Sequence, residues 1–164
     1  MWEKQRMDEE HKLKERFGLR SLKEVWMGAS ELRRIRRNVR EVLSGRASDE
    51  VGKQIIARLA KYSIVNSGAT LDDLLIINID AILNRRLQSI VVSKGLAKSP
   101  RQARQLITHG FIAIDGRRVT SPGYMVSGSE EIKIGYYKPI NISTAPPPAP
   151  TKPAEEPKEV VAAQ

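Results

Sequence analysis

The sequence predicts an α+β protein in three parts: a helical domain over residues 1–80, a smaller domain over 81–140, and a Pro-rich tail over 141–164. In the smaller domain two helices are expected to pack on a short antiparallel sheet. Three observations carry this reading. Apolar residues recur at three- and four-residue spacing through most of the chain before Gly110, the period of a helix with one buried face. Asp115-Gly116 stands between two short strand-like runs, a hairpin signature. Six of the nine prolines fall between Pro146 and Pro157, in a segment with too little apolar surface to fold.

The elements follow in order. Residues 2–16 read as a charged helix with little apolar face, and Gly18 marks its stop. Residues 30–43 read as an amphipathic helix, with Ser30 as N-cap and Leu32, Ile35, Val39 and Val42 on the buried side. Residues 49–61 form the next helix, with Val51, Ile55, Leu59 and Tyr62 on one side, before a break at Ser67-Gly68. Thr70 and Asp73 have the spacing of a capping box. Leu71, Leu74, Leu75, Ile76, Ile77 and Ile79 are assigned to the core. Residues 80–94 read as one helix ending at Gly95. Ser99-Pro100 opens another, with serine as N-cap and proline preset at the first helical position. Strands are expected over 111–114, at Val119-Thr120 and over 130–134.

Composition narrows the function. The chain has 164 residues and a formal net charge of +9, from 28 Lys plus Arg against 19 Asp plus Glu. It has no cysteine, which removes disulfides, thiolate nucleophiles and Cys-ligated metal sites and fits a reducing compartment. No apolar run approaches the ~18–20 residues of a membrane helix, and no apolar segment suits a secretory signal. A cytoplasmic protein with no membrane partner and no cofactor is expected. The charge lies in blocks: residues 17–47 carry a net +5 and residues 83–140 a net +7, around a segment of net −2. Basic blocks point to a polyanion partner, nucleic acid ahead of a membrane surface.

Two constellations carry that charge. Five arginines, Arg33, Arg34, Arg36, Arg37 and Arg40, crowd one helix. Such a face is usually just solvated, but only Glu31 and Glu41 stand near as acidic partners, which favours phosphate contact. The helix opening at Ser99 buries Ala103, Leu106 and Ile107 and exposes Arg101, Gln102, Arg104, Gln105 and Thr108. Arg101 and Arg104 lie one turn apart, where two planar guanidinium forks suit neighbouring phosphates. The helix N-terminus beside Ser99 adds free N–H groups and positive dipole charge. Arg85-Arg86 and Arg117-Arg118 would complete a continuous patch if their elements pack together.

The strings Leu83-Asn84-Arg85-Arg86-Leu87-Gln88, residues 99–107, His109-Gly110 and Asp115-Gly116-Arg117-Arg118-Val119, with Pro122 and Tyr124 following, resemble the alpha-L (S-four) RNA-binding domain over about residues 83–134. The remainder, through Phe17-Gly18-Leu19-Arg20, Glu31-Leu32-Arg33-Arg34 and the approach to Leu75, is similar to the archaeal branch of small-subunit ribosomal protein four. The resemblance implies a non-catalytic protein that binds small-subunit rRNA directly and early in assembly of the subunit body. It also implies contact with neighbouring small-subunit ribosomal proteins and a position near mRNA on the side where it enters. Carried over by position, the RNA-facing residues would be Arg85, Arg86, Ser99, Arg101, Gln102, Arg104, Gln105, His109, Arg117 and Arg118; His109 enters on the resemblance alone.

The same residues have two rival readings. Alpha-L domains also occur on enzymes, but residues 1–82 are short and helical and offer only His11 and the Asp72-Asp73 pair, which sits at a helix start. A free-standing RNA-binding factor is the alternative, and it would not need the arginine helix at 33–40.

Overall fold

The computed structural model describes residues 3–66 and 68–138. The expected Pro-rich tail and Ser67 of the expected Ser67-Gly68 break lie outside the described residues. Eight helices and three strands follow in the described residues. α1 (Lys4–Arg16) buries no residue of its own, as its charge pattern foretold. It is fastened to its neighbours by Trp26 Nε1, which donates to Glu10 at 2.8 Å, and by Arg16 to Asp80 at 2.9 Å. Gly18 then turns the chain with a left-handed φ of +59°.

α2 spans Leu22–Leu43, starting well before the Ser30 N-cap read from the sequence. Ser30 is in mid-helix because the turns before it are packed as well: Val25 is buried with Phe17, Leu19 and Leu83. Tertiary packing outweighs a local capping preference. Leu32, Ile35, Val39 and Val42 are buried as expected. α3 (Asp49–Lys61) has the predicted bounds, although Val51 stands outside the core. The Thr70–Asp73 pair opens α4 (Leu71–Ile76): the Asp73 carboxylate accepts from the Thr70 N–H at 2.8 Å and its hydroxyl at 2.9 Å. Of the apolar run assigned to the core, Leu74 is fully buried but Ile76 is 75% exposed.

The single helix read over 80–94 is two, α5 (Ile79–Asn84) and α6 (Leu87–Ser93). Arg86 between them is extended and pairs with Met125 as an isolated bridge. The α6 start finds partners on a neighbouring loop: Leu87 N–H donates to Tyr124 O at 2.8 Å, Gln88 N–H to Pro122 O at 3.2 Å, and Val126 N–H to Arg85 O at 3.0 Å. A break satisfied by such long-range bonds needs no Gly or Pro, which is why none marked it. α7 (Pro100–Thr108) follows as predicted.

β1 (Ile112–Ile114) is the middle of a three-stranded antiparallel sheet, order β2-β1-β3. Asp115 and Gly116, at φ +52° and +75°, make the two-residue turn to β2 (Arg117–Arg118), two residues earlier than the strand expected at Val119-Thr120. The strand expected over 130–134 is replaced by α8 (Gly128–Glu131) and then β3 (Ile134–Tyr136). A full capping box decides this. Ser127 N–H donates to Glu130 Oε2 at 2.9 Å, and Glu130 N–H donates to Ser127 Oγ at 3.4 Å.

Three apolar clusters result. Leu32, Ile35, Val39, Leu59, Leu74 and Ile82 hold the N-terminal helices together. Leu87, Ile90, Val91, Ala103, Ile107, Ile112 and Val126 are among those that hold α6 and α7 on the sheet. Between them Phe17, Leu19, Val25 and Leu83 form a seam. Because Ile82 packs with the N-terminal helices, a boundary drawn at residue 80 falls inside α5 rather than between the two cores.

Candidate nucleic-acid interface

The seam is polar as well as apolar. Gln88, 1% exposed, donates through Nε2 to the carbonyls of Phe17, Gly18 and Pro100 at 3.1, 3.0 and 2.9 Å. Its Oε1 accepts from Arg104 at 3.3 Å. One buried amide thus ties the α1–α2 turn to α6 and α7. Beside it Glu24, from the first turn of α2, receives Arg104 Nη2 at 2.9 Å, Arg86 Nη2, and the Arg20 N–H at 3.2 Å. The side chains of Glu24 and Arg86 are each 11% exposed. Burial pushes the Glu24 carboxyl upward, but the hydrogen bonds from Arg104 and Arg86 and their charges outweigh it and hold the group below its ordinary value.

This arrangement sorts the arginines and their neighbours. Arg85 is turned toward α8, pairing with Glu131 at 2.9 Å and reaching Val126 O at 3.4 Å. Arg36 donates to Ile77 O at 2.7 Å, satisfying a carbonyl at the end of α4. Ser99 and Gln102 are engaged in capping: Ser99 Oγ accepts the Gln102 N–H at 3.2 Å, and Gln102 Oε1 accepts the Lys98 N–H at 2.8 Å. The α7 N-terminus, read from the sequence as an anion site, is covered by the Gly18 turn. A Cβ on Gly18 would stand 2.6 Å from Pro100 Cβ and 3.2 Å from the Arg101 nitrogen. Arg101 and Arg104 do not share a face, and Arg85-Arg86 does not extend a continuous patch, because Glu24 and Glu131 draw three of these four side chains inward.

What faces solvent is a different set. Arg101, Gln105 and His109 recur every four residues on the exposed side of α7 and its C-terminal residue. His109 lies 6.4 Å, ring to ring, from Phe111. The Arg118 side chain lies over Gly110, where a Cβ would meet it at 2.6 Å, so the β-hairpin brings a guanidinium stem to the end of that stripe. Arg117 and Arg118 are both exposed. On α2, Arg33, Arg34, Arg37 and Arg40 are exposed. Arg34 meets Glu31 at 3.1 Å and Arg37 meets Glu41 at 4.0 Å, exposed pairs of little net strength. Arg33 rests on its own helix, donating to Ala29 O at 3.3 Å, and Arg40 has no ion-pair partner among the described residues.

Sequence reasoning missed Glu24, whose role is visible only once α6 and α7 are packed on α2. It also missed Arg58 and Tyr62 of α3 and its C-terminus, which join Arg34, Arg37 and Asn38 around a cleft between α2, α3 and the 121–125 loop. No motif marks these two, since they sit on a periodic helix read only for its core face. Among the described residues no three His, Cys, Asp or Glu side chains are grouped as a metal site, and no helix is long and apolar enough to cross a membrane.

The chain is similar to known proteins over most of its length. The S4 domain family matches residues 85–132, from the break between α5 and α6 to just beyond α8. Small ribosomal subunit protein uS4 of Ignicoccus hospitalis is 49% identical over 137 residues, covering 82% of each chain. The uS4 protein of Methanothermobacter thermautotrophicus is 43% identical over 139 residues, covering 83% of this chain and 81% of the relative. That of Thermoplasma volcanium is 45% identical over 166 residues, covering 96% and 83%.

Proposed function

We propose a function from the premise that this chain belongs to the small ribosomal subunit protein uS4 family: it is a structural constituent of the small ribosomal subunit and binds small-subunit rRNA directly. The observation that carries this is similarity at 43–49% identity over both the arginine-bearing N-terminal helices and the S4 domain, not over the S4 domain alone. A free-standing factor built on the S4 domain would not call for the first part. The protein acts by binding rather than catalysis. Its place is the ribosome, in the cytoplasm, where it helps nucleate the subunit body. Neighbouring ribosomal proteins and mRNA, on the side where it enters, are the further partners of this reading.

The RNA contacts in this reading come from two exposed surfaces. Arg33, Arg34, Arg37 and Arg40 form one on α2; Arg101, Gln105, His109, Arg117 and Arg118 form the other on α7 and the hairpin. Arg36, Arg85, Arg86, Arg104, Ser99 and Gln102 hold the surfaces in place. Exposed arginines that are unpaired or only weakly paired read phosphates and shape, and the chain is too poor in aromatic residues (5%) to be chiefly a single-strand stacker.

The test is a salt titration of binding to small-subunit rRNA, with tRNA and duplex RNA of equal length as competitors. With roughly 6–10 phosphate contacts, affinity falls about 10³–10⁵-fold between 50 and 200 mM salt. The rRNA is expected to outcompete the others at every salt concentration. Equal binding of all three would reduce the chain to a general RNA clamp.

A further inference from the structure

We propose that the cleft between α2, α3 and the 121–125 loop is a nucleotide pocket that receives one unstacked base of the bound RNA. This rests on the rRNA reading above and adds an apolar cleft beside the α2 surface, sharing Arg34 and Arg37 with it. The cleft has a volume of about 640 Å³, within the ~300–1,000 Å³ typical of small-ligand clefts. Its depth is apolar, reaching Ile35 and Ile82 of the N-terminal core, and Tyr62 and Met125 line it from opposite elements.

The mouth decides the occupant. Arg34, Arg37 and Arg58 line it together. Arg34 and Arg58 share the single carboxylate of Glu31, at 3.1 and 3.5 Å, and Arg37 reaches Glu41 only at 4.0 Å. Three guanidinium groups therefore retain donors for an incoming anion. An apolar peptide side chain would fill the depth and cover those charges without a partner. A nucleotide suits both parts: a flat base for the apolar walls and Tyr62, phosphates for the arginines. The Asn38 amide and the Tyr62 hydroxyl also line the cleft, and neither makes a side-chain hydrogen bond among the described residues. Both are left to read a base edge. The wall opposite α3 is fixed by Arg86, which Glu24 holds in place, so the pocket is formed before RNA arrives.

Photocrosslinking of the full chain to a 4-thiouridine-substituted small-subunit rRNA transcript tests this, with Kd measured in parallel for three proteins. The natural chain should crosslink at Tyr62 or Met125. Tyr62→Ala should weaken binding roughly 5- to 100-fold, the cost of one lost base stack. Asn38→Trp, which blocks the cleft from the rim while leaving the core alone, should abolish the crosslink, weaken binding comparably and leave Tm unchanged. If Asn38→Trp binds the transcript as the natural chain does, or crosslinks fall only on α7 and the hairpin, the pocket proposal is overturned while the rRNA reading stands. If reconstituted subunits show a protein crosslinked in the cleft instead of RNA, the occupant is a protein and the proposal fails. If the natural chain prefers no rRNA over tRNA, both readings fall together.

Discussion

The seam between the two cores and the outer side of α7 draw on the same residue types and treat them in opposite ways. In the seam Arg86 and Arg104 converge on one carboxylate, Glu24, beside a buried amide, Gln88. On the outer side Arg101 stands in water three residues from Arg104. A guanidinium that is enclosed must be matched, because an unpaired buried charge is expensive, whereas an exposed one keeps its hydration until a phosphate replaces it. A dense arginine motif is therefore two populations, and the fold divides them: one is paired inside the seam, and the other stays exposed, the set that the proposed function gives to RNA.

The largest test of that division is Glu24→Ala. It leaves Arg86 and Arg104 facing each other across the seam, and removing one partner of such an enclosed cluster costs roughly 3–5 kcal/mol. Urea unfolding should show a loss in that range; a loss below about 1 kcal/mol would mean that the apolar seam alone joins the two halves. Acid probes the same group. The Glu24 carboxyl lies below its ordinary value of 4.5 in the folded chain. Its contribution to stability is thus fully present above that value and fades as pH falls through the depressed folded pKa. Asp73 and Glu130, held down by hydrogen bonds from Thr70 and Ser127, act with the same sign. Thermal melts should fall in midpoint below about pH 4.5, and Glu24→Gln should flatten that fall while lowering the melting midpoint at neutral pH.

These contrasts also mark what the sequence could and could not convey. Local signals were readable because their energetics are local: the Thr70–Asp73 cap, the Asp115-Gly116 turn, Ser99-Pro100 at the start of α7, and the i, i+3, i+4 spacing of Leu32, Ile35, Val39 and Val42. The misread elements are those fixed by distant partners. Arg86 is pulled out of helical geometry by a bridge to Met125 and hydrogen bonds to residues 122–126. Ser30 is carried inside α2 by the packing of the earlier turns, where Val25 meets Phe17, Leu19 and Leu83. The candidate site suffered most from this. Helical spacing places Arg101 and Arg104 a turn apart, but only the position of α2 reveals that Arg104 has a carboxylate waiting.

A smaller effect is expected where the Gly18 turn meets α7. Gly18 combines φ +59° with a space that a Cβ would overfill at 2.6 Å from Pro100. Gly18→Ala should therefore cost more than ~1 kcal/mol, the usual upper size of a compatible Gly-to-Ala change with its sign reversed. If the substitution is neutral, the turn does not bear on α7 and the seam is looser than its bonds suggest. Native-state hydrogen exchange at the Gln88 side of α6 would report the loosening directly.

The smallest stability effect and the sharpest functional one belong together at Arg101. Arg101→Ala removes an exposed side chain with no ion-pair partner among the described residues, so stability should change by no more than about 0.5 kcal/mol. If the guanidinium meets a phosphate, the dependence of log K on log salt should become shallower by about one unit, alike for every rRNA sequence tested. Arg104→Ala is the internal control, one turn away on the same helix. It should lower the melting midpoint first and weaken rRNA binding only as the seam loosens, so its salt slope stays nearer that of the natural chain. An exchange of these two behaviours, with Arg101 governing stability and Arg104 the slope, would show that the bound protein turns α7 about its axis. Arg104 would then leave Glu24 for a phosphate, and the division between orienting and contacting arginines would hold only for the unbound chain.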